Sequence, residues 1–489
     1  MAEYIPPLSE LVSWLYVMHT ADASMYKAVS SYAASGSGFY AEELKRTVLL
    51  VEKTGCDPYF AIEQTAEKTR NKEFGIFLSE YAAVVKTSGS PVSYLHSRLE
   101  SLRVDEKAAE EKRAASLSVF AEVFIAVFVA GILFAVIVFL VLGIMNNASP
   151  FPLAAIVYGV LPLGTICFML VLDIMYPAPP RRKVETPSVQ HIITPADKTE
   201  KQILRHFKSY EKRKGFREFL QGPKEALIHR PSLIFIVSIP AGIAVSGVLL
   251  LSRFIPTEIV VSIGLILIFT PYALFSLQSR RRTRDAEKKL PSVYRLLSSA
   301  SERGVTISKG LSKAASNIGG ILGKELSATV RDIRFSGSVY DCLGRLRNRL
   351  QVPSADKSTL LIQEASKHTA DMSLPFRLCA DEAAACAERK AQRTSSMQLY
   401  VMIMYISYGV FIFTQILLTS IFMDAFALSG NSVNISIFSR ILADAVLIHG
   451  VCCGLAAGKL SGSGISGGIL HACILLSIGA AASAVMSII

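Results

Sequence analysis

Along this chain of 489 residues the apolar positions fall into two patterns. In some stretches they run almost unbroken for about 20 residues, enough to cross a hydrocarbon core about 30 Å thick. Elsewhere they return every three or four positions, the mark of a helix with one buried face. The unbroken pattern predicts spans at 117–145, 151–176, 231–252, 257–277, 399–424, 437–458 and 466–488. The first is long enough to tilt or protrude. The periodic pattern is clearest after residue 289. Leu290, Tyr294 and Leu297 share one helical face, Leu311 and Ala314 a second, and Leu326, Val330 and Ile333 a third. Gly304 and the Ser-Gly at 336–337 read as helix stops, and VPSAD (352–356) as a helix start. No alternating strand pattern is present, so the expected fold is all-α.

The periodic segments repeat. Adding 282 to a position carries Leu8 onto Leu290, Leu15 onto Leu297, Lys27 onto Lys309, Gly38 onto Gly320, Leu44 onto Leu326 and Gly55 onto Gly337. Leu78, Thr87 and Glu106 fall in the same way on Leu360, Thr369 and Glu388, with no gap. The offset also carries the first span onto the fifth and the second onto the sixth, so the repeat is parallel. The expected organisation is a helical bundle at 1–116, a pair of spans in 117–176 and a basic linker at 177–230. A second pair of spans follows in 231–277, then a second bundle at 278–398 and three spans in 399–489.

Composition agrees with a membrane protein. The chain is 51% hydrophobic with 18% charged residues, against about 25% charged in ordinary globular domains. Its mean hydropathy is +0.41. The formal charge is nevertheless +12, so the cations are concentrated. EEKR (110–113), PRRK (180–183), SRRRTR (279–284) and ERKAQR (388–393) flank the spans on one side, while the opposite connections are short and nearly uncharged. Positive residues mark the cytoplasmic side, which puts the N-terminus and both bundles in the cytoplasm and the C-terminus outside. No cleavable signal segment is expected, because the first apolar stretch is late and too long. The segment 178–230 alone carries a net +7. In it Ile203, Phe207 and Tyr210 form a partial apolar face beneath Lys208, Lys212, Arg213 and Lys214, which suits an anionic lipid surface or an acidic partner. That location accounts for the cations without nucleic acid. The eight cysteines show neither CxxC nor metal-ligand spacing and read as small buried residues.

Chemistry is sparse. HGVCCGLAAGKLSGSGISGGILHA (449–472) invites comparison with a phosphate-binding loop, but it is one residue short. Leu460 also follows Lys459 where a magnesium-binding hydroxyl is needed. Gly454, Gly458 and Gly462 repeat every four positions instead, the spacing that lets two helix backbones approach closely in a bilayer. There is no HExxH and no cluster of carboxylates, so neither enzyme nor cofactor is expected. Ionisable residues within spans are expensive and therefore candidates. They are Glu122, Asp173, Arg440, Asp444 and His449. Arg440 lies one turn before Asp444, so the two could pair, and His449 suits a buried, hydrogen-bonded core position. On the second bundle Lys309, Glu325, Arg331, Asp332 and Arg334 make a polar face, with Arg345 and Arg347 of GRLRNRL nearby. That face is either a solvated helix surface or an electrostatic docking surface.

LPSVYRLLSSASERGVTISKGLSKAA (290–315) and GKELSATVRDIRFSGSVYDCLGRL (323–346) resemble the cytoplasmic domain of the type II secretion system F family. The first bundle shows the likeness more faintly in ELKRTVLLVEKTGCDPYFAIEQ (43–64) and SGSP (88–91). The seven spans and the glycine-rich hairpin are similar to archaeal members, including the platform of the archaellum. The second bundle departs from the pattern at TADMS (369–373), where the first has TSGSP. The resemblance implies a non-enzymatic platform. It would couple a cytoplasmic hexameric secretion ATPase to the addition of pilin-like or archaellin-like subunits, and could work as a homodimer beneath the fibre. The rival class is a secondary transporter, which would set Asp444 and His449 in one shared cavity.

Overall fold

The computed structural model describes residues 5–145, 149–175, 227, 231–252, 256–429 and 435–486, apart from Ser37, Ser88, Gln351, Ala370 and Ser463. The basic linker and its amphipathic stretch around Phe207 lie outside these residues. Among them every regular element is a helix, and seven helices are long and apolar enough to cross a membrane. The chain divides into two compact units. One gathers both periodic segments, to residue 112 and from 282 to 389, and the other gathers the apolar spans.

In the first unit, α1 (Leu8–Thr20), α2 (Met25–Ser35), α3 (Phe39–Thr54), α4 (Pro58–Lys68) and α5 (Lys72–Lys86) lead into α6 (Pro91–Phe124). Beyond α6 the chain continues through a π-helical turn (Ile125–Gly131) into α7 (Ile132–Met145), α8 (Phe151–Ala154), a second π turn (Ala155–Val160) and α9 (Leu161–Met175). After α10 (Phe235–Ser252) and α11 (Thr257–Glu302) come α12 (Ile307–Asn317), α13 (Ile321–Ser336), α14 (Val339–Leu350) and α15 (Pro353–Ala365). Then follow α16 (Ser373–Ser429), α17 (Ile435–Leu460) and α18 (Gly464–Met486).

The offset of 282 holds helix by helix. It superimposes α2 on α12 and α3 on α13 at both ends, and the first residue of α6 on that of α16. The turns explain why. Gly55 and Gly337 end α3 and α13 in the left-handed region, at φ 66° and 67°, where a Cβ is strained. The two late turns do differ. Ser90 caps α6 by accepting the N–H of Ser93, whereas Asp371 accepts the N–H of Ser373 ahead of α16.

Each bundle buries one face of every helix, and the two share a continuous core. Leu290, Tyr294, Leu297, Leu311, Ala314, Leu326, Val330 and Ile333 are all buried. In the first bundle Trp14 meets Tyr32 edge-on at 5.6 Å between centroids, and Phe77 stacks on Tyr81 at 6.0 Å. The bundles are joined by Glu364 of α15, which is buried and accepts hydrogen bonds from Ser31 and Ser35 of α2, at 3.3 and 3.4 Å. Tyr340 and Lys367 also donate to it. Lys357 of α15 pairs with Glu10 of α1.

Three boundaries of the sequence reading, at 116/117, 277/278 and 398/399, fall inside continuous helices, α6, α11 and α16. Residues 272–290 and 376–408 contain neither Gly nor Pro, so the change of hydropathy there is a change of surroundings and not of conformation.

In the second unit Phe124 stacks on Phe168 at 4.0 Å. Tyr408 of α16 donates its hydroxyl to the carbonyls of Val446 and Leu475, tying α16 to α17 and α18.

Candidate functional site

The polar face of the second bundle is partly a network and partly free. Arg349 of α14 lies against α13. Its Nη1 is 2.7 Å from Oδ2 of Asp332 and its Nη2 2.8 Å from Oγ1 of Thr329. Its Nε is 2.8 Å from Oε2 of Glu325, an ion pair without an aligned hydrogen bond. The Arg349 hydrogen bond holds the Asp332 carboxyl below its ordinary range, helped by the charges of Arg349, Arg345 and Arg331. Arg347 pairs with Asp356 of α15, and Arg345 reaches the thiol of Cys342. Glu325, Asp332 and Arg347 are therefore half-buried and paired within the bundle. Lys309, Arg331 and Arg334 are exposed and make no ion pair among the described residues. Beside the two arginines stands Phe335, 92% exposed. On α13, Lys324, Arg331 and Phe335 follow at spacings of seven and four, so they share one face. Arg349 was not singled out in the sequence, because nothing local says which arginine of GRLRNRL turns back to α13. Phe335 was missed too, although an aromatic in the polar register of a helix was the available signal.

Among the span candidates the structure supplies partners from other helices. Tyr400 donates to Glu122 at 2.8 Å. Lys459 pairs with Asp173. Arg440 does not take Asp444, one turn away, as its partner; its Nε lies 3.1 Å from Oε1 of Glu258 on α11. Asp444 instead accepts the hydroxyl of Tyr158. Sequence spacing sees only the neighbour along the same helix, and the facing helix won both contacts. His449 is buried and stacked on Phe411, 4.4 Å between centroids. Its Nε2 lies 3.5 Å from Sγ of Cys453, and its Nδ1 has no hydrogen bond among the described residues. His449 is thus a buried, stacked histidine with one of its two ring nitrogens hydrogen-bonded.

The glycines of α17 sit where α18 crosses. A Cβ on Gly454 would strike the backbone of Ala472, and one on Gly458 the backbone of Gly468. Gly462 lies in the turn between the helices, at φ 70°. Small residues thus let two spans touch through their backbones.

A cleft of about 590 Å³ opens between α9, α11, α17 and α18. Glu258, Arg440 and Asp444 line it, and His449 does not. Asp444 and His449 therefore do not share this cleft. Among the described residues no group of three His, Cys, Asp or Glu side chains is placed to hold a metal ion.

A family model described as type II secretion system (T2SS), protein F, matches this chain in two copies, over residues 12–139 and 293–419. Together they cover more than half of the sequence and coincide with the two repeats. No curated protein and no solved structure matched.

Proposed function

Because the chain belongs to the type II secretion system protein F family, whose members are membrane platforms of type II secretion and type IV pilus-like systems, we propose that it is the platform of a filament-assembly machine of the archaellum or archaeal pilus type. In this reading it catalyses no reaction of its own. It couples a cytoplasmic secretion ATPase to the insertion of pilin-like subunits into the fibre. Both bundles face the cytoplasm, the N-terminus with them, and the C-terminus lies outside. The net +7 of segment 178–230 suits an anionic lipid surface.

The observation that carries the reading is the exposed face of α13. Arg331 and Arg334 flank a fully presented Phe335, and neither arginine is used inside the bundle. Unpaired cations around an aromatic anchor suit an acidic partner surface, since charge orients encounter while the buried ring supplies affinity. The ATPase would move the paired bundles, and α6, α11 and α16 would carry that motion along their unbroken backbones.

The test is purification of the tagged chain from native membranes in mild detergent. A hexameric secretion ATPase or pilin-like subunits should accompany it. Arg331→Glu with Arg334→Glu should release the ATPase and leave subunit recovery intact. Clean recovery of the chain alone, with both partners present in the membranes, would sink the reading.

A further inference from the structure

The cleft in the second unit has two kinds of wall. Ile166, Met169, Val261, Leu265, Val451 and Leu455 line most of it, and Glu258, Arg440 and Asp444 stand together at one end. The contacts at that end leave specific valences open. Arg440 reaches Glu258 through Nε, its side chain is 71% exposed, and its two terminal amino groups make no hydrogen bond among the described residues, so their donors stay open. Asp444 accepts Tyr158 on Oδ2 and retains Oδ1 as an acceptor. A guanidinium fork with free amino groups matches a phosphate, and a free carboxylate oxygen matches an ammonium. Arg440 and Asp444 are one helical turn apart, which sets the two demands side by side.

We propose that this cleft binds a zwitterionic aminophospholipid, with the phosphate on Arg440, the ammonium on Asp444 and acyl chain along the apolar wall. Three considerations select this ligand. An anionic headgroup would meet Arg440 but leave Asp444 facing another negative charge. A quaternary ammonium offers the carboxylate no N–H donor. The volume of about 590 Å³ falls within the roughly 300–1,000 Å³ typical of small-ligand pockets, whereas a helix about 10–12 Å across needs more room. This inference stands whether or not the chain assembles a filament.

The experiment uses the full chain, delipidated in detergent and offered phosphatidylethanolamine, phosphatidylcholine or phosphatidylglycerol of identical acyl composition. Native mass spectrometry then counts the retained lipid. The ethanolamine lipid should be retained about tenfold better than the glycerol lipid, a difference of about 1.4 kcal/mol. Asp444→Asn should erase that preference while leaving total phospholipid retention near wild type. Arg440→Gln should lower retention of all three lipids, with Arg440→Lys between, because the charge remains and the fork is lost. Leu265→Trp, which fills the apolar wall, should abolish retention and so separate the cleft from lipid merely coating the spans. Equal retention of the ethanolamine and glycerol lipids by the wild type would overturn the proposal, as would retention indifferent to Leu265→Trp. Displacement of bound lipid by an apolar helical peptide, with loss of that binding in Leu265→Trp, would reassign the cleft to a protein segment.

Discussion

The two bundles have one set of turns and two different interiors. Phe74, Phe77 and Tyr81 fill the first core, and their counterparts 282 residues on are Asp356, Thr359 and Gln363. Trp14, Tyr32 and Tyr40 likewise become Leu296, Ala314 and Leu322. Even the buried threonine of the third helix is satisfied differently. Thr47 meets Thr65 at 2.7 Å, whereas Thr329 accepts from Arg349. The helix lengths survive these exchanges because they are set by turn residues and by the spacing of apolar positions, not by which apolar residue is used. The first bundle holds itself together through aromatic area. The second holds itself partly through ions and uses α15 to grip its neighbour. Their surfaces diverge as well: residues 39–68 carry a net −2 and the equivalent 321–350 a net +3. A single duplicated unit has thus been divided into a packed half and a charged half.

That contrast can be broken at its strongest point. Phe77→Ala should destabilise the first bundle by about 3–5 kcal/mol, the usual range for an aromatic removed from a core. Thr359→Ala at the equivalent place should cost about 1–2 kcal/mol, mainly a lost hydrogen bond. Trp14 is the chain's one tryptophan and lies in the first core beside α15, so its fluorescence during urea unfolding reports on that core and its seam with the second bundle. Comparable losses at the two positions would mean that the cores are energetically alike after all.

Glu364→Ala is expected to rank next. It strips the acceptor shared by Ser31, Ser35, Tyr340 and Lys367, worth about 1.5–3 kcal/mol for a bond to a charged group. Limited proteolysis should then cut between the bundles before either one unfolds. Simultaneous loss of both would argue against a separable joint.

Acid sensitivity should belong to the charged half. The Asp332 carboxyl titrates below its ordinary value of 3.8 in the folded chain. It therefore contributes stability above that value and loses the contribution as pH falls through the lower folded one. Arg349→Ala should flatten the acid limb of the second bundle's melting curve and leave the Trp14 signal unchanged. An unaltered acid limb would place the sensitivity elsewhere.

The smallest effect is expected in a turn. Asp22 adopts φ 57°, and its counterpart Gly304 adopts 71°. Asp22→Gly should raise the first bundle's stability by about 0.5–1 kcal/mol, since an L-residue is strained there and glycine is not. A lower melting temperature would show that the Asp22 side chain contributes more than its backbone costs.

How far the sequence could be read follows from the range of each interaction. Spans, helix stops and the register of the repeat are local or periodic, and Gly304, Gly337 and Pro353 mark their elements in plain view. Partners across helices are not local. Glu258 could have been matched to Arg440 only by knowing that α11 and α17 face each other, and Tyr158 to Asp444 only by knowing the packing of α9's approach. The π turns at Ile125–Gly131 and Ala155–Val160 have no signature in an unbroken apolar run. Of the exposed face, the arginines were legible as charge, but their freedom was not, because it depends on Arg349 having claimed the nearby carboxylates.

The backbone contact at Gly454, Gly458 and Gly468 also bears on how the chain enters its membrane. Span six carries Arg440, Asp444 and His449 and has the lowest mean hydropathy of the seven, 1.8. Each charged residue near the centre of a lone helix opposes insertion by about 2.5–3.5 kcal/mol on translocation scales. Span seven carries no charged side chain within Gly464–Met486 and reaches 2.1. Zipped together through a two-sided seam of glycines, the reluctant helix can partition with its apolar neighbour as one hairpin. A bulky residue at Gly458 would then be felt at the ribosome, as a helix stranded outside the bilayer, before it was felt in the finished fold.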